Sequence, residues 1–506
     1  MPARVIVIGL DSSESTLIER WTSEGKLPAL AELYEQGQTY DLDNCWSTLP
    51  TSVWPELTSG RAPGRLALFF PPNQLRTGEV ELRPVSPDEV DPRGFWTIAS
   101  DAGKRVAAID LPWTVPPRDL NGIFLAEWGT HDRWFGTASF PPALAVSTRQ
   151  RYGEYPVRLC DHDYGDSTAE RLQLAAELVE AVDHETRLLL DLLGQGEWDL
   201  FACAYGQFQC VGHNFWGFMD TQTRVPDAIR NAIFDVYSKV DEGVGALRAA
   251  AGPEAVSVVV ASHGMGPLAG GPQLLHEVLV RLGAGSGKGS AAKVRSRLPI
   301  GVRSTIRKLV PAPLRRPLQR AAGSLPAPLA SSATKAVALP ADIGGYVRLN
   351  LEGREPNGSV EPGAEAEAVL AELRRALLEL EDPASGERIV VGVVSAEEAF
   401  GPDRHPDVPD LMVSFRHDLG PLDACMSDRV ELVNVPHRIV NRSGDHTGEA
   451  RLWLTGKGIL RPEAVGRAHA LDVAPTILSL LEVPIPSDLH GRYLVERDRS
   501  APKDPA

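Results

Sequence analysis

The 506-residue sequence has little cysteine, no excess of positive charge and no long apolar run. Its five cysteines are odd in number and scattered, with no Cys-x-x-Cys pair, so we expect no disulfide framework and a reducing, cytoplasmic setting. The net charge of −16 is opposite to the basic face that phosphate contacts need, so we expect no specific nucleic-acid binding. No apolar run approaches the roughly 18 residues of a membrane span, and the first residues lack a signal-peptide pattern. The sequence carries no signal of oligomeric state.

Short apolar runs that end abruptly in polar residues are the clearest structural signal. Such runs are typical of buried parallel strands, which lack alternation because both faces are covered. They occupy 4–11, 105–112, 199–207 and 255–264, and strand-like runs recur at 409–415 and 450–456. Helical periodicity lies between them, most clearly over 169–196, and again over 471–482. This alternation predicts an α/β fold with a doubly wound, mostly parallel sheet and helices on both faces.

Residues 284–340 interrupt this alternation. The segment is rich in Gly, Pro and Ala, and from Arg281 to Lys335 the chain has twelve Lys or Arg and no acidic residue. We expect a basic insertion or cap between two parts of a catalytic core, 1–283 and 341–495, followed by a disordered tail over 496–506. The positive charge of the insertion would help to collect an anionic substrate or contact an anionic membrane surface, and both interpretations stay open.

Polar residues follow the ends of the predicted strands, where open α/β sheets bind their ligands. The residues near these ends are Asp11, Gln209, His213, Ser262 and His263. A fourth polar stretch, GDHTGEARLWL, adds Asp445 and His446 in a turn. Each has an ordinary alternative, such as helix capping by Asp11 or core packing by His213. As a set, three histidines and a carboxylate suit a zinc-like ion better than magnesium, which prefers oxygen ligands.

The stretch LPTSVWPELTSGRAPG places Thr51 and Ser52 directly before a predicted helix that carries a tryptophan. Alone, Thr51 is explained as a helix N-cap. Next to a metal ion, its hydroxyl would be more easily deprotonated and would become a candidate nucleophile. The role of Thr51 therefore depends on whether a metal site lies beside it.

These stretches together resemble the alkaline phosphatase superfamily, specifically its type I phosphodiesterase and nucleotide pyrophosphatase branch. The matching motifs are VIVIGLD, LPTSVWPELTSGRAPG, GHNFW, SHGMGP, GDHTGEARLWLTGKGI and LDVAPTILSLL. The stretch GGYVRLNLEGREPNGSVEPG at 344–363 is similar to a group of predicted phosphohydrolases. The resemblance implies a metal-dependent hydrolase of phosphodiester or nucleotide-type substrates in which Thr51 is transiently phosphorylated, with Ser52 as the second candidate.

The resemblance also assigns metal ligands. Asp11, Thr51 and His263 fall to a first metal, and His213 and His446 fall to a second. Ser262 and Gln209 stand where the family has aspartates, and Leu66 stands where it commonly has a histidine. Because the lost carboxylates would have offset the charge of two divalent ions, we expect one zinc or manganese ion, or two bound with unequal affinity. Asp445 is a candidate substitute ligand.

Three further residues are candidates for contacting a small phosphorylated substrate. His131 lies in WGTHDRW, and Arg348 and Arg354 lie in YVRLNLEGRE. Guanidinium groups bind phosphate in a bidentate manner, but these two arginines are equally explained by pairing with neighbouring glutamates. Two alternatives to hydrolysis stay open: a non-catalytic protein that binds a phosphorylated ligand, and a phosphomutase or phosphotransferase.

Overall fold

The computed structural model describes residues 3–66, 68, 73–91, 93–220, 224–285, 333–341, 343–435, 442–459 and 465–495. It divides into two compact units, neither of which is continuous in sequence. The first unit combines Met1–Leu66, Ser86–Leu268 and Asn441–Ala506, and the second combines Ala67–Val85 and Ala269–Val440. Most of the predicted insertion at 284–340 and all of the predicted tail at 496–506 lie outside the described residues. The predicted boundaries of these two segments therefore stay predictions.

The described strands are numbered along the chain. They are β1 (Ala3–Leu10), β2 (Gln38–Asp43), β3 (Val106–Ile109), β4 (Gly122–Ala126), β5 (Ala138–Phe140), β6 (Trp198–Tyr205), β7 (Val256–Ala261), β8 (Gly264–Pro267), β9 (Ala336–Leu339), β10 (Gly345–Leu349), β11 (Val390–Ser395), β12 (Leu411–Phe415), β13 (Cys425–Met426), β14 (Glu431–Leu432), β15 (Gly444–Thr447), β16 (Arg451–Thr455) and β17 (Gly466–His469).

The described α-helices are numbered in the same way. They are α1 (Ser15–Ser23), α2 (Pro28–Gln36), α3 (Val53–Ser59), α4 (Pro63–Leu66), α5 (Phe95–Asp101), α6 (Ala143–Tyr152), α7 (Cys160–Asp163), α8 (Thr168–Leu193), α9 (Gln207–Met219), α10 (Asp227–Arg230), α11 (Ala232–Ala251), α12 (Leu274–Arg281), α13 (Ala364–Leu378), α14 (Ala396–Phe400) and α15 (Val473–Leu480). Short 3₁₀ helices span Cys45–Ser47, Pro50–Ser52, Pro87–Glu89 and Ala470–Asp472. Among these described helices, none combines the length and the apolar character that crossing a bilayer requires.

A nine-stranded sheet forms the centre of the first unit, in the order β17-β2-β16-β7-β1-β6-β3-β4-β5. The run from β7 to β4 is parallel throughout, whereas β16 is antiparallel to both β2 and β7. All four apolar runs predicted as buried strands lie in this parallel run.

Each face of the large sheet is covered by its own apolar core. Successive side chains of a strand point to opposite faces. Ile6 and Ile8 of β1 accordingly belong to a core with residues of α8 and α11, whereas Val5 and Val7 belong to a core with residues of α3, α5 and α15. The predicted doubly wound α/β fold is therefore confirmed.

The second unit has a separate four-stranded sheet in the order β11-β12-β10-β9, and its strands pair antiparallel. Residues of α12 and α13 cover it with a core of their own, which includes Leu275 and Leu373. The two late strands predicted from sequence thus belong to different sheets: β12 lies in this one and β16 in the large sheet.

Candidate active site

The candidate site begins where three adjacent parallel strands end. β1 lies between β6 and β7, so the residues that follow these strands emerge side by side at one edge. Asp11 follows β1, and its backbone N–H donates to the carbonyl of Tyr205 at 3.0 Å. Ser262 and His263 follow β7, and α9 begins two residues after β6. The strand edge brings together residues that are about 200 to 250 positions apart in sequence.

Asp11 and His263 are linked through Ser262. The Ser262 hydroxyl lies 3.4 Å from Asp11 Oδ1 and 2.9 Å from His263 Nδ1. The Ser12 hydroxyl lies 2.9 Å from His263 Nε2, and Ser12 takes a left-handed conformation with φ of 64°. A serine rarely adopts this strained conformation, which here aims its side chain at the histidine. All four side chains are buried.

His446 reaches His263 through the two-stranded ribbon formed by β8 and β15. Met265 of β8 pairs with His446 of β15, and His263 Nε2 lies 3.2 Å from His446 Nδ1. The buried carboxylate of Glu14 holds both strands, since it accepts hydrogen bonds from the Met265 N–H at 3.1 Å and the Thr447 hydroxyl at 3.2 Å. The ribbon therefore fixes the distance between the two imidazoles.

Helix α9 supplies the remaining predicted ligands from one face, because Gln209 and His213 are one turn apart. Gln209 Nε2 lies 3.4 Å from His446 Nε2. His213 is fully buried, and its Nδ1 lies 3.1 Å from the carbonyl oxygen of Gly444. That contact makes Nδ1 the donor and leaves the Nε2 lone pair free. Nε2 is buried and has no hydrogen-bond partner among the described residues.

The donor set at this edge fits a divalent metal ion. Ligand atoms of His213, Asp445 and His446 all lie within 4.8 Å of one another. An orphaned imidazole nitrogen beside a second imidazole and a carboxylate is the arrangement that a zinc-like ion satisfies. Asp445 supplies a carboxylate close to the position where Gln209 has replaced the aspartate that the resemblance led us to expect.

Burial sets the protonation of these groups. It raises the pKa of Asp11 to about 6, although the hydrogen bond from Trp54 opposes the shift. It lowers the pKa of His263 to about 3. It also holds the pKa of His213 and of His446 well below the usual value, with the positive charge of Arg442 and the repulsion that adjacent imidazoles would exert if protonated adding to the effect. The imidazoles of His213, His263 and His446 are therefore neutral near pH 7, which is the form that binds metal.

Thr51 lies in the 3₁₀ helix Pro50–Ser52, directly before α3. The residue at the N-cap position of α3 is Ser52, so Thr51 does not cap this helix. Trp54, in the first turn of α3, donates from Nε1 to Asp11 Oδ1 at 2.6 Å and ties this turn to the strand edge. Ser52 is fully buried, whereas Thr51 is half-buried. Of the two candidate nucleophiles, Thr51 is the more exposed residue.

The model of the type I phosphodiesterase / nucleotide pyrophosphatase family matches residues 5–431. The chain belongs to this family. Membership confirms the resemblance drawn from the motifs and supports a phosphoester hydrolase of the nucleotide pyrophosphatase and phosphodiesterase kind. No curated protein sequence gave a match.

Several solved structures are similar to this family member. The alkaline phosphatase PafA has a TM-score of 0.50 at 14% identity, with 97% of this chain and 98% of that chain covered. Murine ectonucleotide pyrophosphatase / phosphodiesterase 5 has a TM-score of 0.49 at 11% identity, with 96% of each chain covered. Phosphonoacetate hydrolase from Sinorhizobium meliloti 1021 has a TM-score of 0.48 at 14% identity, with 95% of this chain and 96% of that chain covered.

The two arginines predicted to contact substrate belong to the second unit of this family member, where they form ion pairs. Arg348 is fully buried and pairs with Glu355 at 2.7 Å, and it also donates to Pro406 and Thr77. Arg354 pairs with Asp410 at 2.7 Å. Arg354 also pairs with Glu355 at 2.8 Å, so both arginines make the ion pairs of the alternative interpretation, and their contact with substrate stays a prediction.

His131 lies close to the site, with its ring centroid 5.6 Å from that of His213. Its nitrogens contact neighbouring side chains: Nδ1 faces Cys160 and Cys210, and Nε2 faces Asp161 at 3.4 Å. Sequence reasoning gave these cysteines no role, because they are scattered along the chain. The sequence signal that could have pointed to these cysteines is their position: Cys210 lies three residues before His213, and Cys160 directly precedes Asp161.

Proposed function

We propose that this protein is a metal-dependent hydrolase of phosphoesters, with a phosphodiester or nucleotide-type substrate and Thr51 as the nucleophile. The observation that carries the proposal is the orphaned, buried Nε2 of His213 beside His446 and Asp445. A buried imidazole nitrogen without a partner costs free energy unless a ligand occupies it. Family membership supplies the reaction class.

The residues of the chain have distinct roles in this proposal. When bound, a divalent ion would neutralise charge on the phosphate and make Thr51 easier to deprotonate. The three imidazoles favour zinc for this ion, with manganese as the alternative. Asp11, His263, His213, His446 and Asp445 would hold one ion or two. Trp54 and Ser262 orient Asp11 through their hydrogen bonds. The carbonyl of Gly444 fixes the ring of His213.

The covalent step transfers the phosphate, with its second ester group still attached, to the chain. The Thr51 oxygen forms a bond to phosphorus as the bond from phosphorus to one leaving oxygen breaks, and the departing alcohol takes up the proton lost from Thr51. Water then attacks the same phosphorus, the bond to the Thr51 oxygen breaks and that oxygen regains a proton, and the phosphate monoester is released. In a phosphotransferase, an added alcohol would take the place of water.

The test compares Thr51→Ala with Ser52→Ala, the adjacent hydroxyl, in protein loaded with zinc or manganese. With bis(4-nitrophenyl) phosphate as substrate, we expect Thr51→Ala to lose turnover by at least about a thousandfold and Ser52→Ala to keep most of it. Circular dichroism checks that both variants fold. Loss confined to Ser52→Ala would assign the nucleophile to Ser52, and full activity in both variants would refute a hydroxyl nucleophile in this segment.

A specific observation favours the second candidate, a non-catalytic protein that binds a phosphorylated ligand. Gln209 and Ser262 are neutral where the family has aspartates, which weakens metal binding. In that case, calorimetry would detect binding of a nucleotide monophosphate, whereas metal-loaded wild-type protein would release no nitrophenol. If the wild type turns over substrate and Thr51→Ala does not, the non-catalytic function is excluded.

A further inference from the structure

Three side chains beside the candidate active site form a compact cluster of nitrogen and sulfur atoms. His131 Nδ1 lies 3.1 Å from Cys210 Sγ and 3.3 Å from Cys160 Sγ. The three ligand atoms all lie within 4.8 Å of one another, and all three side chains are buried. They come from the loop after β4, the start of α7 and the second turn of α9. Packing of the first unit therefore brings together residues from three separate elements.

The other nitrogen of His131 fixes which way the ring presents its lone pair. Nε2 lies 3.4 Å from Asp161 Oδ2 and 3.7 Å from Asp132 Oδ1. A carboxylate facing Nε2 favours a proton on that nitrogen, so Nδ1, which faces the two sulfurs, is the nitrogen available to bind a metal ion. Carboxylates orient metal-bound histidines in this way in many proteins.

The charge on Asp161 is already balanced by a neighbouring arginine. Arg442 binds Asp161 with two donors: its Nε lies 3.2 Å from Oδ1, and a terminal nitrogen contacts Oδ2. Asp161 is therefore available to orient His131 without adding net negative charge. Two thiolates and one divalent ion would also sum to zero, which is the charge balance that a buried site requires.

We propose that His131 Nδ1 and the thiolates of Cys160 and Cys210 bind a thiophilic divalent ion such as zinc, at a site separate from the one formed by His213, His446 and Asp445. With Zn–S near 2.3 Å and Zn–N near 2.0–2.1 Å, tetrahedral geometry puts nitrogen and sulfur roughly 3.5 Å apart. The observed 3.1 and 3.3 Å need adjustments of a few tenths of an ångström. Binding releases both thiol protons to solvent, so one divalent ion replaces two protons.

Hydrogen bonding without metal accounts less well for the same contacts. Nδ1 offers one hydrogen-bonding position, yet two sulfurs lie within 3.3 Å of it. The second thiol would then have to bond to the other sulfur, because Asp161 Oδ1 lies 3.9 Å from Cys160 Sγ, which is long even for a thiol donor. A metal ion satisfies both sulfurs and the imidazole at once.

The experiment titrates the full-length protein with Co²⁺ and follows the thiolate-to-cobalt charge-transfer absorption, with a phosphine reductant keeping the thiols reduced. We expect the amplitude of this absorption to correspond to one thiolate-bound Co²⁺ per chain, in addition to the ions that the candidate active site takes up. Cys160→Ala and Cys210→Ala should abolish it. Cys203→Ala is the matched control, because Cys203 is also buried but lies within β6 with its sulfur 3.7 Å from the Val7 carbonyl. Absence of the band in wild type, or its persistence in both variants, would overturn the proposal.

A second measurement does not depend on how the variants fold. X-ray absorption at the zinc edge of zinc-loaded wild-type protein should show sulfur neighbours at about 2.3 Å, whereas coordination by nitrogen and oxygen alone would refute the site. The result is independent of the proposed hydrolase, because His263→Ala should lower activity and leave the thiolate absorption unchanged. Loss of that absorption in His263→Ala would show that the two sites are not separate.

Discussion

Trp54 connects the segment that carries Thr51 to Asp11. Its indole donates to Asp11 Oδ1 at 2.6 Å, and a side chain at Gly9 would lie 2.3 Å from its ring, so the indole packs tightly against β1. We expect Trp54→Phe to keep most of the packing but weaken metal binding at Asp11 by about 10- to 100-fold, because the carboxylate loses the donor that orients it. Competition with a chromophoric chelator measures this affinity.

Trp96→Phe is the control for this substitution. Trp96 is a buried indole in the same apolar core, and its Nε1 has no hydrogen-bond partner among the residues that the structure describes. The Trp96→Phe variant should bind metal with the affinity of the wild type. Equal affinity in Trp54→Phe and Trp96→Phe would contradict the assigned role of the indole donor.

Glu56 makes the stability of the first unit depend on pH. Its buried carboxyl accepts the Cys45 N–H at 2.9 Å and lies 3.6 Å from His469 Nδ1, and burial raises its pKa from 4.5 to about 7. The folded state therefore holds a proton that the unfolded state releases. The free energy of unfolding should fall by about 2 kcal/mol as pH rises from about 4.5 to 7.

Glu56→Gln tests this pH dependence, because the amide keeps an oxygen acceptor for the Cys45 N–H but does not titrate. Urea unfolding near pH 5 and near pH 7.5 should give a smaller pH difference in the variant than in the wild type. The same pH difference in both proteins would show that Glu56 titrates normally.

The meeting of polar side chains at the strand ends could be predicted from sequence, because strand ends share an edge of the sheet. Asp11, Ser262 and His263 meet for this reason. The pairing of Arg442 with Asp161 joins residues 281 positions apart and follows no local pattern. Such contacts depend on how loops pack, so they could not be predicted from local patterns.

The β8–β15 ribbon requires glycine at position 264. A Cβ atom there would lie 2.3 Å from Glu14 Oε2 and 2.4 Å from Thr447 Oγ1, the two groups that hold the ribbon together. We expect Gly264→Ala to lower the free energy of unfolding by about 1–3 kcal/mol and to reduce metal content, because the ribbon carries His446. Elemental mass spectrometry and urea unfolding measure the two effects.

Gly392→Ala serves as the control, since a Cβ on Gly392 of β11 would meet nothing nearer than Ser414 Cβ at 3.9 Å. It should keep wild-type metal content. Normal metal content in Gly264→Ala would contradict the proposed role of the ribbon.

Long helices and strands could be predicted from their apolar patterns, whereas short strands could not. The helix predicted over 169–196 is α8, and the strand predicted at 255–264 is β7, because both have continuous apolar patterns. The ribbon strand β8 has the sequence GMGP, in which two glycines hide any strand signal. Its pairing with β15 arises from tertiary contacts with Glu14, so local sequence could not reveal it.

The second unit depends on a buried ion pair. Arg348 and Glu355 are both fully buried, and Glu355 also accepts from Arg354 at 2.8 Å, so loss of Arg348 leaves Glu355 with one of its two guanidinium partners. We expect Arg348→Met to destabilise this unit by about 1–3 kcal/mol, because buried hydrogen bonds to a charged group are lost. Differential scanning calorimetry should show a new transition at lower temperature, while hydrogen exchange in the nine-stranded sheet stays slow.

Arg416→Met is the control for this prediction. Arg416 pairs with Glu387 and Asp418, whose side chains are exposed to solvent, so its loss should leave the calorimetric trace unchanged. Equal effects of the two substitutions would contradict a special role for the buried pair.

At the scale of the whole chain, the sequence predicted the large sheet but not the separate sheet of the second unit. The strands β9 to β12 are antiparallel and largely buried, so their apolar runs resemble those of the first unit. A run of apolar residues does not indicate which sheet the strand will join. The pairing of β10 with both β9 and β12 in the structure is what assigns these strands to a separate sheet.

The position of β16 in the large sheet has a consequence for synthesis on the ribosome. This strand, at Arg451–Thr455, lies between β2 and β7, which are translated much earlier. Until it emerges, both partner strands present unpaired backbone groups to other nascent chains. We therefore expect messages that stop before codon 451 to yield chains that aggregate and depend on chaperones. Once β16 has been translated, it can pair with β2 and β7, and His446 is then already present in the chain.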